Sequence, residues 1–283
     1  MMIYSFFQCL IRCGPLRSAW TIGAVRSATV AMLIITAAGC AARETGPPPG
    51  TVEPDQFLFD RATEEVKQED WIDARTYFQQ IVDNYPQSPL RPDAKLGVGD
   101  AYLAEGGTES LVLAASEFRE FLTFFPTNSR ADYAQYRLAM TYFRQMRAAQ
   151  RDQTETRNAL REFEVFIARY PNSTLLPEVK ARQRDAQDRL SSAEFEVGLH
   201  YYRIRWYPGA IDRFTALLKN DPGYSRRDNV YFYLGETFVR AGRPAEALPY
   251  FEKLLAEFAS SEHVEDARRR VTDLKAQTAT KAS

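Results

Sequence analysis

The sequence predicts an all-α fold, a right-handed solenoid of about five helical hairpins. Three observations carry this. One helical motif recurs five times in a single register, four of the copies end on a proline, and no stretch alternates apolar and polar residues as a strand would. An aromatic anchor falls at Phe78, Phe118, Phe163, Phe214 and Phe251. Four residues before each stands an alanine: Ala74, Ala114, Ala159, Ala210 and Ala247. Three and four residues after each comes an apolar pair: Ile81-Val82, Phe121-Leu122, Phe166-Ile167, Leu217-Leu218 and Leu254-Leu255. This spacing lays the motif along one face of an amphipathic helix. Pro86, Pro126, Pro171 and Pro222 then stand eight residues after their anchors, each expected to end its helix by removing a donor and restraining its predecessor. Ala259 takes that place in the last copy.

A second helix precedes each of these. Its clearest copy is Tyr231-x₂-Leu234-Gly235-x₂-Phe238, nine residues before Ala247. Val197-Gly198-x₂-Tyr201 stands equally far before Ala210, and Val98-Gly99-x₂-Tyr102 and Leu138-Ala139-x₂-Tyr142 are looser copies. Together the two helices resemble the tetratricopeptide signature, in which small residues let the paired helices approach and aromatics fill the gap between them. The anchors lie 40, 45, 51 and 37 residues apart, more than the roughly 34 of ideal repeats. The excess is assigned to Glu105-Gly106-Gly107-Thr108, to a turn insertion Arg151 to Arg157, and to a lengthened helix from about Leu176 to Tyr202. A polar helix, about Val264 to Lys275, is expected to cap the stack. The repeat domain thus spans 55–277, with 278–283 a disordered tail.

The first residues read differently. Arg12, Arg17 and Arg26 precede a small and apolar run, Ala28 to Gly39, without an acidic residue. That is the layout of an export signal, and the run is short of the roughly 20 residues a permanent membrane helix needs. It stops at Ala37-Ala38-Gly39-Cys40, which resembles a bacterial lipobox with Ala37 where Leu is usual. Residues 1–39 are therefore expected to be a lipoprotein signal peptide and Cys40 the lipidated residue. The residue after it is Ala41 rather than aspartate, which favours the outer membrane. Residues 40–54, with Gly46-Pro47-Pro48-Pro49-Gly50, read as a tether. Cys9 and Cys13 fall inside the signal, so their spacing is not read as a metal site.

Composition narrows the function. A formal net charge of −1 gives no basic surplus for nucleic acid, and two histidines in different repeats with a single mature cysteine leave no metal set. No phosphate-cradling, dinucleotide, zinc-hydrolase or nucleophile-elbow motif is present, so no cofactor and no catalysis are expected. His200 reads as an ordinary packing or surface residue. Residues the repeat does not require are better candidates for partner binding. They are the polar turn Arg151, Asp152, Gln153 and Thr154, where a helix cap at Asp152 or Thr154 is the competing account, and Arg213, a charge directly before a core anchor.

Taken in order, these features resemble the BamD family, lipoproteins of the outer-membrane β-barrel assembly machinery. The most specific segments are Tyr85-Pro86-Gln87-Ser88, Ala131 through Tyr136, Arg151-Asp152-Gln153-Thr154, Arg169 through Ser173, Glu194 through Tyr202, and Ala210-Ile211-Asp212-Arg213. The resemblance implies five tetratricopeptide-like repeats on the periplasmic face of the outer membrane. It implies C-terminal repeats that hold the last POTRA domain of a BamA-like barrel insertase, with Arg213 at that contact. It further implies N-terminal repeats offering a groove to unfolded barrel substrates, and other lipoproteins of the machinery as neighbours. The competing reading is a periplasmic repeat adaptor of the Tol-Pal type, which would carry a coiled coil where this chain has a short proline tether.

Overall fold

The computed structural model describes residues 46–282. Among them are eleven α-helices and no strand: α1 Pro54–Lys67, α2 Trp71–Asn84, α3 Arg91–Glu105, α4 Thr108–Phe124, α5 Ala131–Arg144, α6 Thr154–Arg169, α7 Leu176–Arg203, α8 Tyr207–Asn220, α9 Arg227–Arg240, α10 Pro244–Glu257 and α11 Val264–Ala282. Each packs mainly on its neighbours in the chain, giving five hairpins from α1/α2 to α9/α10 with α11 laid on α10. None of the described helices is long and apolar enough to cross a membrane.

The repeat motif makes the core of each hairpin. All five anchor phenylalanines and their five alanines are buried, and the first residue of every apolar pair is buried with them. Glycine in the first helix is what allows this closeness. A Cβ placed on Gly99, Gly198 or Gly235 would come within 2.8, 2.6 and 2.7 Å of the rings of Phe118, Phe214 and Phe251. No side chain fits there, so the anchor ring lies directly on backbone.

A latch closes each repeat. Ser88, Ser173 and Ser261, in the turns after the second helices, donate to Asp55, Asp132 and Asp228 in the first turn of the first helix, at 2.6, 2.5 and 2.6 Å. The same hydroxyls accept from the amides of Leu90, Leu175 and His263. In the second repeat Arg130 reaches Asp93 at 2.9 Å, and in the fourth the amide of Ser225 donates to Asp188.

Several sequence expectations need correction. α3 and α4 are separated by Gly106 and Gly107 alone, both at positive φ, so the second repeat's extra length lies in the 17-residue α4 and not in the turn. α6 begins at Thr154, so only the stretch to Gln153 is turn and 154–157 are helical. The last second helix ends at Glu257 although Ala259 replaces proline. Proline is thus not what stops it: Phe258 closes that helix at φ −132° and ψ 64°, the same non-helical conformation that Tyr85, Phe125 and Tyr170 adopt at the equivalent place. Finally α11 runs through Ala276, Ala279 and Ala282, beyond Lys275 and into the stretch read as a disordered tail, because alanine favours helix more than any other residue.

Helix α7, with 28 residues, joins two parts of the stack. Val179, Ala186 and Leu190 pack with α5 and α6, whereas Phe195 and Leu199 belong to the core of α8–α11. Between them the buried Ser191 donates to Asp221 at 2.5 Å, and Arg184 grips the same carboxylate with two nitrogens at 2.9 and 2.6 Å. Burial pushes the Asp221 carboxyl upward, but the bonds from Arg184 and Ser191 outweigh it and hold the group below its ordinary range.

Candidate partner-binding groove

The turn between α5 and α6 and the C-terminal half of α7 line one open groove of about 760 Å³. Arg151, Asp152, Gln153 and Arg157 come from one side, and Glu194, Val197, His200, Tyr201 and Arg203 from the other. On α7 the lining positions recur at helical spacing, so one face of that helix forms a wall.

The four candidate turn residues do different things. Gln153 is buried: its amide nitrogen donates to the carbonyls of Ala148 and Arg151, both at 2.9 Å, and its oxygen accepts from Thr156. Its polar atoms are occupied inside the turn, so it shapes the groove. Asp152 accepts from the amide and hydroxyl of Thr154, each at 3.1 Å. The Thr154 amide is one of the donors that the start of α6 leaves unpaired, so the capping account holds for Asp152, although Gln153 occupies the cap position and offers no cap bond. These bonds, led by the amide of Thr154, keep the Asp152 carboxyl below its usual range. Thr154 does not line the groove. Arg151 does, exposed and with no carboxylate partner among the described residues.

Arg213 projects from α8 away from the buried Phe214, about half exposed. Its one ionic contact among the described residues is a single nitrogen 3.4 Å from Glu194, itself half exposed. An exposed, monodentate pair of this kind contributes less than about 1 kcal/mol and leaves the guanidinium available. Glu194 lines the groove, so the turn and Arg213, sixty residues apart in sequence, meet through it. Cys40 lies outside the described residues. Arg203 was not singled out from the sequence, and Arg157 and Glu194 were quoted only as the end of the turn insertion and the start of a family segment. The signal available was the α7 segment Glu194 through Tyr202, whose exposed members recur every three or four residues.

The carboxylates Glu65, Asp70 and Asp73 converge closely, but Glu65 pairs with Arg61 and Asp70 accepts the amide of Asp73 as cap of α2. That cluster is accounted for by a helix start.

A family profile described as YfiO, outer membrane lipoprotein, matches residues 52–246. The outer membrane protein assembly factor BamD of Caulobacter vibrioides is 26% identical over 249 residues, covering 87% of this chain and 80% of that protein. Its counterpart in Xylella fastidiosa is 24% identical over 199 residues, covering 67% of each, and that of Rickettsia prowazekii 25% over 201 residues, covering 69% and 76%. With the profile spanning most of the repeat stack, from the tether through the first turn of α10, the chain belongs to the YfiO, or BamD, family of outer membrane lipoproteins.

Proposed function

We propose that this chain is a non-enzymatic scaffold in the assembly of β-barrel proteins into the outer membrane. It is held at the periplasmic face by lipid on Cys40, and it binds the POTRA region of a BamA-like insertase through the α5–α6/α7 groove and Arg213. The observation that carries the binding site is convergence: Arg151 and Arg213, remote in sequence, flank one groove through Glu194. Arginine suits such a site because its planar fork can take a carboxylate with two parallel bonds, and Arg213 makes no such pair among the described residues. The N-terminal repeats, with their own groove between α2 and α3, are the place for unfolded barrel substrates.

The test is capture of the insertase's periplasmic domains by the mature chain. Arg213→Glu is expected to weaken capture at least thirtyfold, as loss of a central interface arginine costs about 2 kcal/mol or more. Arg213→Lys should recover only part of it. Full capture by a folded Arg213→Glu variant removes Arg213 from the interface. Failure of the wild-type chain to capture any POTRA domain, with recovery of Tol-Pal components instead, favours the adaptor reading.

A further inference from the structure

The turn from α7 to α8 is Ile204-Arg205-Trp206. Its middle residue has φ 65°, a left-handed conformation that a β-carbon disfavours; at the equivalent turn between α9 and α10 the chain uses Gly242, at φ 73°. Glu69 takes the same conformation between α1 and α2, but its neighbours Gln68 and Asp70 are polar. At Arg205 the neighbours are apolar and face solvent: Ile204 is 57% exposed and Trp206 53%. Trp206 is not loose. One side meets Tyr201 edge to face at 4.6 Å, and the other lies on Gly209, where a Cβ would sit 2.5 Å from the indole. A rigid, half-exposed tryptophan beside an exposed isoleucine costs solvation that the fold does not require.

Arg205 lies within this tip and Arg203 directly precedes it, while Arg151 and Arg157 line the neighbouring groove that also holds Tyr201, the residue Trp206 meets edge to face. All four are exposed; Arg157 faces the Asp152 carboxylate, whereas Arg151, Arg203 and Arg205 have no carboxylate partner among the described residues. Against them stand Asp152, bonded to Thr154, Glu194, shared with Arg213, and Glu196.

We infer that the Ile204-Arg205-Trp206 tip, with Arg203, docks on an anionic phospholipid surface. An exposed turn of isoleucine and tryptophan that carries Arg203 and Arg205, both without a carboxylate partner among the described residues, matches the headgroup layer, where an indole ring sits at the polar–apolar boundary and guanidinium groups meet phosphates. The tether supplies the second reason, and here the inference rests on the lipid-anchor reading. Fully extended, the stretch from Cys40 to Pro54 reaches roughly 45–50 Å, which keeps the repeats close to the bilayer so that a weak contact is well populated.

The experiment uses the mature chain carrying Cys40→Ser, which bears no lipid whether or not the native residue is acylated. It should sediment with vesicles of phosphatidylethanolamine and phosphatidylglycerol and not with phosphatidylcholine vesicles. Binding should fall as salt is raised, and tryptophan emission should shift to the blue on binding. Arg205→Gly, which suits the turn, should keep the fold and lower binding roughly fivefold; Trp206→Ser should abolish the emission shift. Absence of sedimentation with anionic vesicles, equal binding to neutral ones, or unchanged binding by both variants overturns the inference. So does loss of POTRA capture by these variants without any vesicle binding, which gives the tip to a protein partner. The anchor reading fails separately, if wild-type chain recovered from membranes carries no lipid on Cys40.

Discussion

The repeats before and after the middle of α7 use the same motif and build different cores. In α1–α6 and the start of α7 the buried residues fall into three clusters, centred on Phe78, Phe118 and Phe163. From Phe195 to Leu274 there is one cluster, running through α8 to α11. The difference comes from residues outside the motif. Phe195 of α7 meets Tyr233 of α9 at 5.8 Å, which joins the last two repeats, and Phe232 of α9 stacks at 4.1 Å on His263, directly before α11, which joins them to the cap. Between α3 and α5, where Leu96 and Leu103 share a cluster with Ala134 and Leu138, a polar contact lies beside the apolar one: Arg137 and Tyr133 both bond Asp100, at 2.6 and 2.8 Å. The motif therefore fixes how two helices pair, and the residues between motif positions decide how far a core runs beyond its own pair and the next helix.

The largest expected effect tests this directly. Phe118→Ala and Phe251→Ala should each cost about 3–5 kcal/mol, since each removes a fully buried ring resting on glycine backbone. Hydrogen exchange should show protection lost near α3–α5 in the first variant and across α8–α11 together in the second. Equal spread in both would break the distinction between divided and continuous cores.

Next in size is the junction. Asp221→Asn should cost about 2 kcal/mol, because Arg184 and Ser191 lose the charge they hold while Arg184 stays partly solvated. The Asp221 carboxyl titrates lower in the folded chain than in the unfolded one, so its contribution is complete above pH of about 4 and is lost as pH falls through the depressed folded value. Urea midpoints measured down through that range should fall less steeply in Asp221→Asn than in wild type. Parallel profiles would mean that this carboxylate does not join the two parts.

A smaller change should have the opposite sign. Arg205→Gly relieves a left-handed residue and should raise stability by about 0.5–1 kcal/mol, seen as a higher urea midpoint, with the gain confined to the continuous core. The smallest effect separates site from scaffold: Arg213→Glu should shift the thermal midpoint by less than the equivalent of about 0.5 kcal/mol, since its one ionic contact among the described residues is an exposed pair. A collapse of the variant would make Arg213 structural.

What the sequence by itself determined is the pairing of helices. Alanine, phenylalanine and the apolar pair at four- and three-residue spacing are local geometry, as are Gly99, Gly198 and Gly235 beneath their rings, and all took the predicted places. The latches were half visible, since Ser88 and Ser173 lie in quoted Tyr-Pro-x-Ser turns, whereas their acceptors Asp55 and Asp132 stand more than thirty residues away. Turn lengths were misplaced at 106–107 and 154–157 because a helix end is set by which carbonyls and amides find partners, and proline is only one way to remove one. The groove belongs to the tertiary structure alone. Arg151, Glu194 and Arg213 become neighbours only once α7 has crossed from one core to the other, and no local spacing encodes where a 28-residue helix sets the turns at its two ends.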